Sequence, residues 1–264
     1  FSIKFFVNEI SLNLIPKTYC LWLLSIAGLL GLVTTADVFN LFVFLEISSL
    51  SAVALVAMGN KIDKKALPAA YNYLILGAIG ATFYVIGVGL LYSVTGTLNM
   101  GDLSAKLPEL GINKVVIAGF GFMIAGMMVK AAIFPLHIWL PSAYAFAPSP
   151  VSVLLAATAT KASIYIIARI SYTIFGGTFE IYAIDDLKFF LILLSIFAMF
   201  AGTFMAIYEK DIKRLLAHSS VAQIGYILLG ISLATSTGIA SGFIHLVNHA
   251  LIKGGLFMSV VAMG

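Results

Sequence analysis

The chain has 264 residues, of which 61% are hydrophobic and 10% are charged, and its mean hydropathy is +1.09. Soluble domains carry about 25% charged residues, so the composition excludes an ordinary soluble domain and indicates a polytopic helical membrane protein. The net charge of +4 is spread over short loops, unlike a nucleic-acid-binding patch, and the single cysteine, Cys20, excludes an internal disulfide or a multi-cysteine metal site.

Eight apolar runs approach the 20 or so residues that a transmembrane helix needs. We divide the chain into residues 1–18, a lead-in or interfacial segment that Pro16 is expected to stop, and residues 19–264, a single transmembrane domain. Because the sequence starts without methionine and stops inside an apolar run, we expect this domain to be incomplete at both ends. The predicted spans are 19–36, 41–58, 68–94, 114–134, 151–172, 187–208, 219–234 and 238–263.

Basic residues are distributed unequally between the two ends of these alternating spans. The positive-inside rule places the richer end in the cytoplasm. That end carries Lys17, Lys61, Lys64, Lys65, Lys210, Lys213 and Arg214.

Two lysines lie inside apolar runs, where a soluble protein would not place them. GFGFMIAGMMV precedes Lys130, and VSVLLAATAT precedes Lys161. A lysine at membrane depth costs roughly 2.5–3.5 kcal/mol on insertion scales, so a chain that carries two of them is expected to use the charges. For Lys130 the alternative is a side chain that reaches up to the membrane interface.

Between these lysines, the prolines predict a helix that breaks inside the membrane. Pro135 should end the helix near Phe134, because proline removes a donor and clashes with the preceding turn. Broken helices often mark ion sites in transporters. At the break we expect His137 to be mainly structural, Trp139 to be an interfacial anchor, and His218, beside a basic turn, to be a solvated helix cap.

Four further acidic, basic or histidine residues lie well inside predicted spans, away from the span ends. Glu46 is either a helix-end carboxylate near the headgroups or the partner of a buried lysine, controlling whether that lysine holds a proton. His245, His249 and Lys253 recur every four residues along one helix stripe that rises about 12 Å. Imidazole both donates and accepts protons near neutrality, which suits this stripe to proton relay.

Together these residues predict a laterally connected path for protons, formed by Glu46, Lys130, Lys161, His245, His249 and Lys253. The sequence shows no redox ligand set, nucleotide loop or nucleophile–base pattern, so we predict that this chain binds no cofactor and no metal. Two alternatives remain open: a secondary carrier for a small substrate, and a non-conducting scaffold subunit.

Several motifs carry a family resemblance. K-x4-P-x-H-x-W-L-P-x-A, A-P-x-P-V-S and T-K-A-S-I-Y-x-x-A-R follow one another in residues 130–169, and residues 211–226 and 245–257 add two more motifs. From residue 41 to residue 263 the sequence resembles the antiporter-like membrane subunits of respiratory complex I, Mrp-type Na⁺/H⁺ antiporters and membrane-bound hydrogenases. The context of Lys161 is most similar to the D-type Mrp subunit and its hydrogenase counterpart.

The resemblance implies an all-α, antiporter-like fold of about fourteen helices in two inverted five-helix repeats, each with a broken helix. This chain would hold about eight of those helices, with the second broken helix after Gly264 and the first helices before Phe1.

The resemblance also implies roles for single residues. Glu46 would pair with Lys130 of the broken helix, and Lys161 would lie on the central axis. The helix with His245, His249 and Lys253 would lead to a second half-channel, while Gln223 stands where some relatives carry histidine.

We therefore expect a proton-translocating subunit, with exchange for sodium left open, in a multisubunit complex. Alone it would not be catalytic; the parent complex would be an NADH-quinone oxidoreductase-like enzyme, a hydrogenase or an Mrp antiporter. The expected partners are other membrane subunits, a peripheral redox arm and the lipid bilayer, but not nucleic acid. We place it in the plasma membrane of a prokaryote rather than an organelle membrane.

Overall fold

The computed structural model describes residues 2–111, 113–176 and 185–263, which form helices joined by short connections and contain no β-sheet. Seven of the described helical segments are long and apolar enough to cross a membrane, judged by length and composition. The helices are α1 (Ser2–Glu9), α2 (Ile15–Thr34), α3 (Val38–Ala57), α4 (Ala66–Thr95), α5 (Met100–Lys106), α6 (Lys114–Lys130), α7 (Trp139–Phe146), α8 (Ser149–Leu154), α9 (Thr160–Arg169), α10 (Asp185–Tyr208), α11 (Ile212–Ser232) and α12 (Ser236–Met263).

The predicted all-α membrane architecture is confirmed, with differences at two spans. The predicted span 114–134 is the 17-residue α6, at the lower end of the length that crosses a bilayer, and the chain continues through a break into α7. The predicted span 219–234 begins seven residues earlier, at Ile212, because Asp211 caps α11 by accepting a hydrogen bond from the Arg214 backbone.

The lead-in segment forms a helix, α1, that packs onto the start of α2. Phe6 is fully buried and makes edge-to-face contacts with Tyr19 and Trp22. Pro16 lies in the first turn of α2, where the missing backbone N–H costs nothing. The expectation that Pro16 stops a segment was wrong, because this proline helps to start α2.

The broken helix ends one turn earlier than predicted. α6 stops at Lys130, whereas the sequence suggested a break near Phe134. The proline ring clashes with the carbonyl four residues before it, so Pro135 prevents the helix from continuing through Ala131. Ala132 then adopts a left-handed conformation with φ of 55°, which ends the helical path.

Trp139 holds the two halves of the broken helix together. Its indole Nε1 donates a hydrogen bond of 3.0 Å to the Val129 carbonyl, and its ring stacks on Tyr73 at 4.3 Å between centroids. The side chain is buried inside the bundle. The expectation of an interfacial anchor was therefore wrong, since a carbonyl near the end of α6 recruits the indole inward.

The helices form two groups that the broken helix joins. Helices α2, α3, α4 and α6 pack in succession, as do α10, α11 and α12. The middle segments connect them: α7 contacts both α4 and α11, α9 contacts α2 and α6, and α8 with the following π-helical turn (Leu155–Ala159) contacts α12.

The buried apolar residues form two clusters, and the predicted polar residues lie between them along the chain. In α3 the first cluster reaches Leu45 and the second begins at Ala52, with Glu46 in the gap. The same change of cluster occurs around Lys161 in the α8–α9 segment and around Gln223 in α11. In this way the fold sets a polar layer at mid-height of the bundle.

Glycines bring α4 and α6 into close contact. A Cβ atom at Gly126 would lie 2.7 Å from the Tyr84 backbone nitrogen, so only glycine allows this approach. At Gly121, also on α6, no described atom lies within 4 Å of the corresponding position.

We expect Gly126→Ala to lower the stability of the protein by roughly 1–3 kcal/mol, because the added methyl group would push α4 away from α6. Gly121→Ala is the matched control, since it makes the same change on the same helix in open space. Thermal unfolding in detergent measures both. Equal midpoints for the two variants would contradict the proposed helix contact.

Candidate functional site

A lysine, a carboxylate and a serine meet where α6 ends. Lys130 Nζ lies 4.0 Å from Glu46 Oε1 and donates a 2.6 Å hydrogen bond to Ser49 Oγ. Glu46 and Ser49 are three residues apart and therefore share one face of α3. The Lys130 side chain is only 6% exposed, against 27% for Glu46, so Lys130 does not reach up to an interface.

The ammonium group borders a small, serine-rich cavity of about 20 Å³. A space of this size holds one water molecule when polar groups surround it. Hydroxyl groups from α2, α3 and α9 reach it, because the cavity is lined by Lys130, Ser25, Ser48, Ser49 and Ser163 among others. The cavity thus extends the polar surroundings of Lys130 towards α9.

Lys161 depends on an irregular piece of helix for its partner. A π-helical turn at Leu155–Ala159 precedes it, and such turns displace backbone carbonyls from the regular ladder. The Lys161 ammonium donates a hydrogen bond to the Ala156 carbonyl inside this turn. Lys161 is buried, and it also borders an apolar groove of about 510 Å³ that α2, α9 and α12 line.

The predicted stripe on α12 faces α11 and α9. Lys253 Nζ donates a 2.8 Å hydrogen bond to the Leu216 carbonyl, and His245 Nε2 lies 2.7 Å from Gln223 Oε1. The rings of His245 and His249 are nearly parallel, with centroids 6.4 Å apart. His249 is buried, and within the described residues neither ring nitrogen has a hydrogen-bond partner.

The predicted path therefore consists of two clusters on either side of α9. Glu46 and Lys130 form the first. Lys161, His249 and Lys253 form the second, in which electrostatic interactions link His249 to both lysines and the two lysines to each other. A proton placed on one member of such a group changes the energy of a proton on the next.

At the helix break, Pro135 and His137 lie where the sequence placed them, whereas His218 does not. His137 is buried and stacks on Phe134 at 5.3 Å between ring centroids. The expectation that His218 is a solvated cap was wrong: it lies in the second turn of α11, mostly buried, with its ring 6.4 Å from that of His137. Asp211 provides the cap instead.

Ser49 is the site residue that sequence reasoning missed. Its spacing from Glu46 was the available signal, because residues three apart on a helix are neighbours. The carbonyl groups that accept from Lys161 and Lys253 could not be predicted from the sequence, because every residue type has a backbone carbonyl.

Comparison with known proteins identifies the family and the fold of the chain. Residues 35–264 match the family described as NADH:quinone oxidoreductase/Mrp antiporter, TM. The chain belongs to this family. It is therefore a multi-pass membrane protein with the antiporter-like fold, as the sequence motifs implied.

Similar sequences come from two kinds of complex. The chain is 46% identical over 239 residues to the N subunit of the NADH-quinone oxidoreductase of Desulforudis audaxviator, covering 90% of this chain and 46% of that protein. It is 31% identical over 246 residues to the D-type subunit of the Na⁺/H⁺ antiporter of Alkalihalophilus pseudofirmus, covering 91% and 47%. The chain thus spans about half the length of the family members it matches.

Solved structures show the same fold. A chain of the membrane-bound sulfane sulfur reductase, an archaeal respiratory membrane complex, superimposes with a TM-score of 0.84 at 38% identity, covering 90% of this chain and 47% of that one. A chain of the Mrp complex from a Dietzia species gives 0.82 at 31% identity, covering 91% and 44%. Respiratory complex I from Thermus thermophilus gives 0.73 at 30%, covering 92% and 50%.

We expect Ser49→Ala to destabilise the protein by about 1–3 kcal/mol, because the buried Lys130 ammonium loses a hydrogen bond. The same substitution in a Lys130→Met background should cost much less, which a double-mutant cycle of unfolding in detergent measures. Ser51→Ala is the control, since the Ser51 hydroxyl bonds only carbonyls of α3 among the described residues. An equal cost for Ser49→Ala in both backgrounds would contradict the interaction.

Proposed function

We propose that this chain is a proton-translocating subunit of a multisubunit membrane complex and that it conducts along Glu46, Lys130, Lys161, His245, His249 and Lys253. The observation that supports this most is the polar layer itself. Three buried lysines, Lys130, Lys161 and Lys253, each donate to a partner from another helix or an irregular turn, and apolar clusters lie on both sides of the polar residues along α3, α9 and α11. Charges placed at membrane depth cost free energy, and such an arrangement is characteristic of ion paths.

The first cluster offers Lys130 a hydrogen-bond partner in either protonation state. When charged, the ammonium donates to Ser49 and is drawn to Glu46; when neutral, its nitrogen can accept a hydrogen bond from the Ser49 hydroxyl, which both donates and accepts. The serine-lined cavity then offers a route for the released proton towards α9. Repulsion within the Lys161, His249 and Lys253 cluster passes the charge on towards α12.

A partner supplies the driving energy in this proposal. Moving one charge against 100 mV requires roughly 2.3 kcal/mol, which a proton path by itself does not release. The matched relatives are named as subunits of NADH-quinone oxidoreductases and Na⁺/H⁺ antiporters, and the superimposed chains belong to membrane complexes. By this analogy the chain works beside other membrane subunits, coupled to a redox arm or to a sodium gradient.

We place the protein in the plasma membrane of a prokaryote. Support comes from the organisms of its relatives and from an archaeal complex among the similar structures. The excess of basic residues at the end with Lys61 and Lys210 puts that end in the cytoplasm.

Lys161→Met and Glu46→Gln test the function in sealed vesicles that carry the intact complex. We expect either substitution to slow proton pumping by roughly tenfold or more, because each removes a group that must take up and release a proton. Lys114→Met, which removes an exposed lysine at the start of the same helix as Lys130, should pump normally. Vesicle acidification is the measurement, with complex assembly checked in parallel.

Wild-type pumping by both Lys161→Met and Glu46→Gln would overturn the proposal and favour a scaffold subunit. Transport that instead requires a small organic substrate would favour a secondary carrier.

A further inference from the structure

A second group of titratable residues lies outside the buried path, at the end of the bundle that carries the α10–α11 turn. Glu209 Oε2 is 3.8 Å from His218 Nε2 and 3.5 Å from Arg214 Nε. Arg214 is 40% exposed, whereas the side chains of His218 and Glu209 are 12% and 19% exposed. This group therefore begins in solvent and extends into the protein.

The group continues to the broken helix through a pair of histidines. The ring of His218 meets that of His137 edge to face, with centroids 6.4 Å apart. His137 is buried in the turn that follows α6, the helix that ends with Lys130. Imidazoles at this separation can exchange a proton through one bridging water molecule.

A purely structural role for these residues is poorly supported by the contacts around them. The cap of α11 is already provided by Asp211, whose carboxylate accepts from the Arg214 backbone at 3.0 Å. A partly exposed ion pair such as Glu209–Arg214 contributes little to stability. His218 and His137 each keep a buried ring nitrogen, Nδ1, that has no hydrogen-bond partner among the described residues.

Two basic residues near this group, Lys213 and Arg214, have titratable partners. Lys213 interacts electrostatically with Glu9 of α1 and with Asp211. Arg214 interacts with His218, and Glu209 lies between them. His218 thus faces the carboxylate of Glu209 and the guanidinium of Arg214 as well as the buried imidazole of His137.

We propose that Glu209, His218 and His137 form a proton-uptake site that delivers protons from the α10–α11 end of the bundle to the broken helix. This inference rests on the proposed function, since it supplies the path that begins around Lys130. The positive-inside rule puts this end in the cytoplasm, the side from which a prokaryotic pump takes protons. Glu209 takes up the proton from solvent, His218 transfers it inward, and His137 releases it at the broken helix.

The experiment measures proton pumping by the intact complex in sealed vesicles while the pH on the uptake side is varied between about 6 and 8, the range in which imidazole exchanges protons. The variants are His218→Gln, His218→Arg and Glu209→Gln. We expect each to pump normally at the acidic limit and to fall behind the wild type by roughly tenfold at the alkaline limit, where protons are scarce and a relay matters most.

The variant His218→Arg distinguishes a role of His218 in proton uptake from a purely structural role. Arginine places a permanent positive charge beside Glu209 and cannot release a proton near neutrality, so the uptake role predicts a defect like that of His218→Gln. A structural role predicts that His218→Arg restores normal pumping, and that result would overturn the inference. Because arginine can pair with Glu209, this variant also serves as the test if His218→Gln does not assemble.

Two controls keep the inference apart from the proposed function. Glu109→Gln removes an exposed carboxylate elsewhere on the chain and should leave the pH profile unchanged. Lys161→Met reports on the path itself. If Lys161→Met, like Glu46→Gln, pumps normally, the proposed function fails. If it is inactive while all three uptake variants keep the wild-type pH profile, only the uptake site is disproved.

Discussion

The hydrogen bond and ion pair of Lys130 are the constraint on which the rest of the structure depends. A buried ammonium group is tolerated only when other helices bring partners to it, because the desolvation cost is several kcal/mol. Here Ser49 lies 2.6 Å away and Glu46 lies 4.0 Å away, both on α3. Two features fix the position of Lys130: the close packing of α4 on α6 through Gly126, and the helix break at Pro135.

Irregular backbone supplies hydrogen-bond acceptors that side chains alone could not supply. A continuous helix uses its carbonyls internally, so buried lysines would have few acceptors in a regular bundle. The break after α6 leaves the Val129 carbonyl to Trp139, and the π-helical turn before α9 offers the Ala156 carbonyl to Lys161. These two departures from regular helix therefore coincide with buried lysines, and π-bulges inside α-helices are frequent at functional sites.

The polar layer extends across the bundle from helix to helix, because apolar clusters bound it on both sides. Apolar clusters occupy the bundle on both sides of it along α3, α9 and α11. Charges in such a layer interact more strongly with one another than they would in water, because the surrounding dielectric is low. α9 separates the layer into two clusters, with Ser163 facing the cavity beside Lys130 and Lys161 facing His249. Coupling between the clusters must therefore pass through or around this helix.

The sequence by itself determined the membrane class, most of the spans to within a few residues and the candidate residues, because hydropathy and the positions of charges in apolar runs are local properties. It located the helix break but placed it a turn too late, since the clash of Pro135 acts on the carbonyl four residues earlier. Only the tertiary structure decided that Ser49 and Gln223 join the site, that Trp139 turns inward and that His218 faces His137. These outcomes depend on how separate helices pack, and among them only the inclusion of Ser49 had a local signal, its spacing from Glu46.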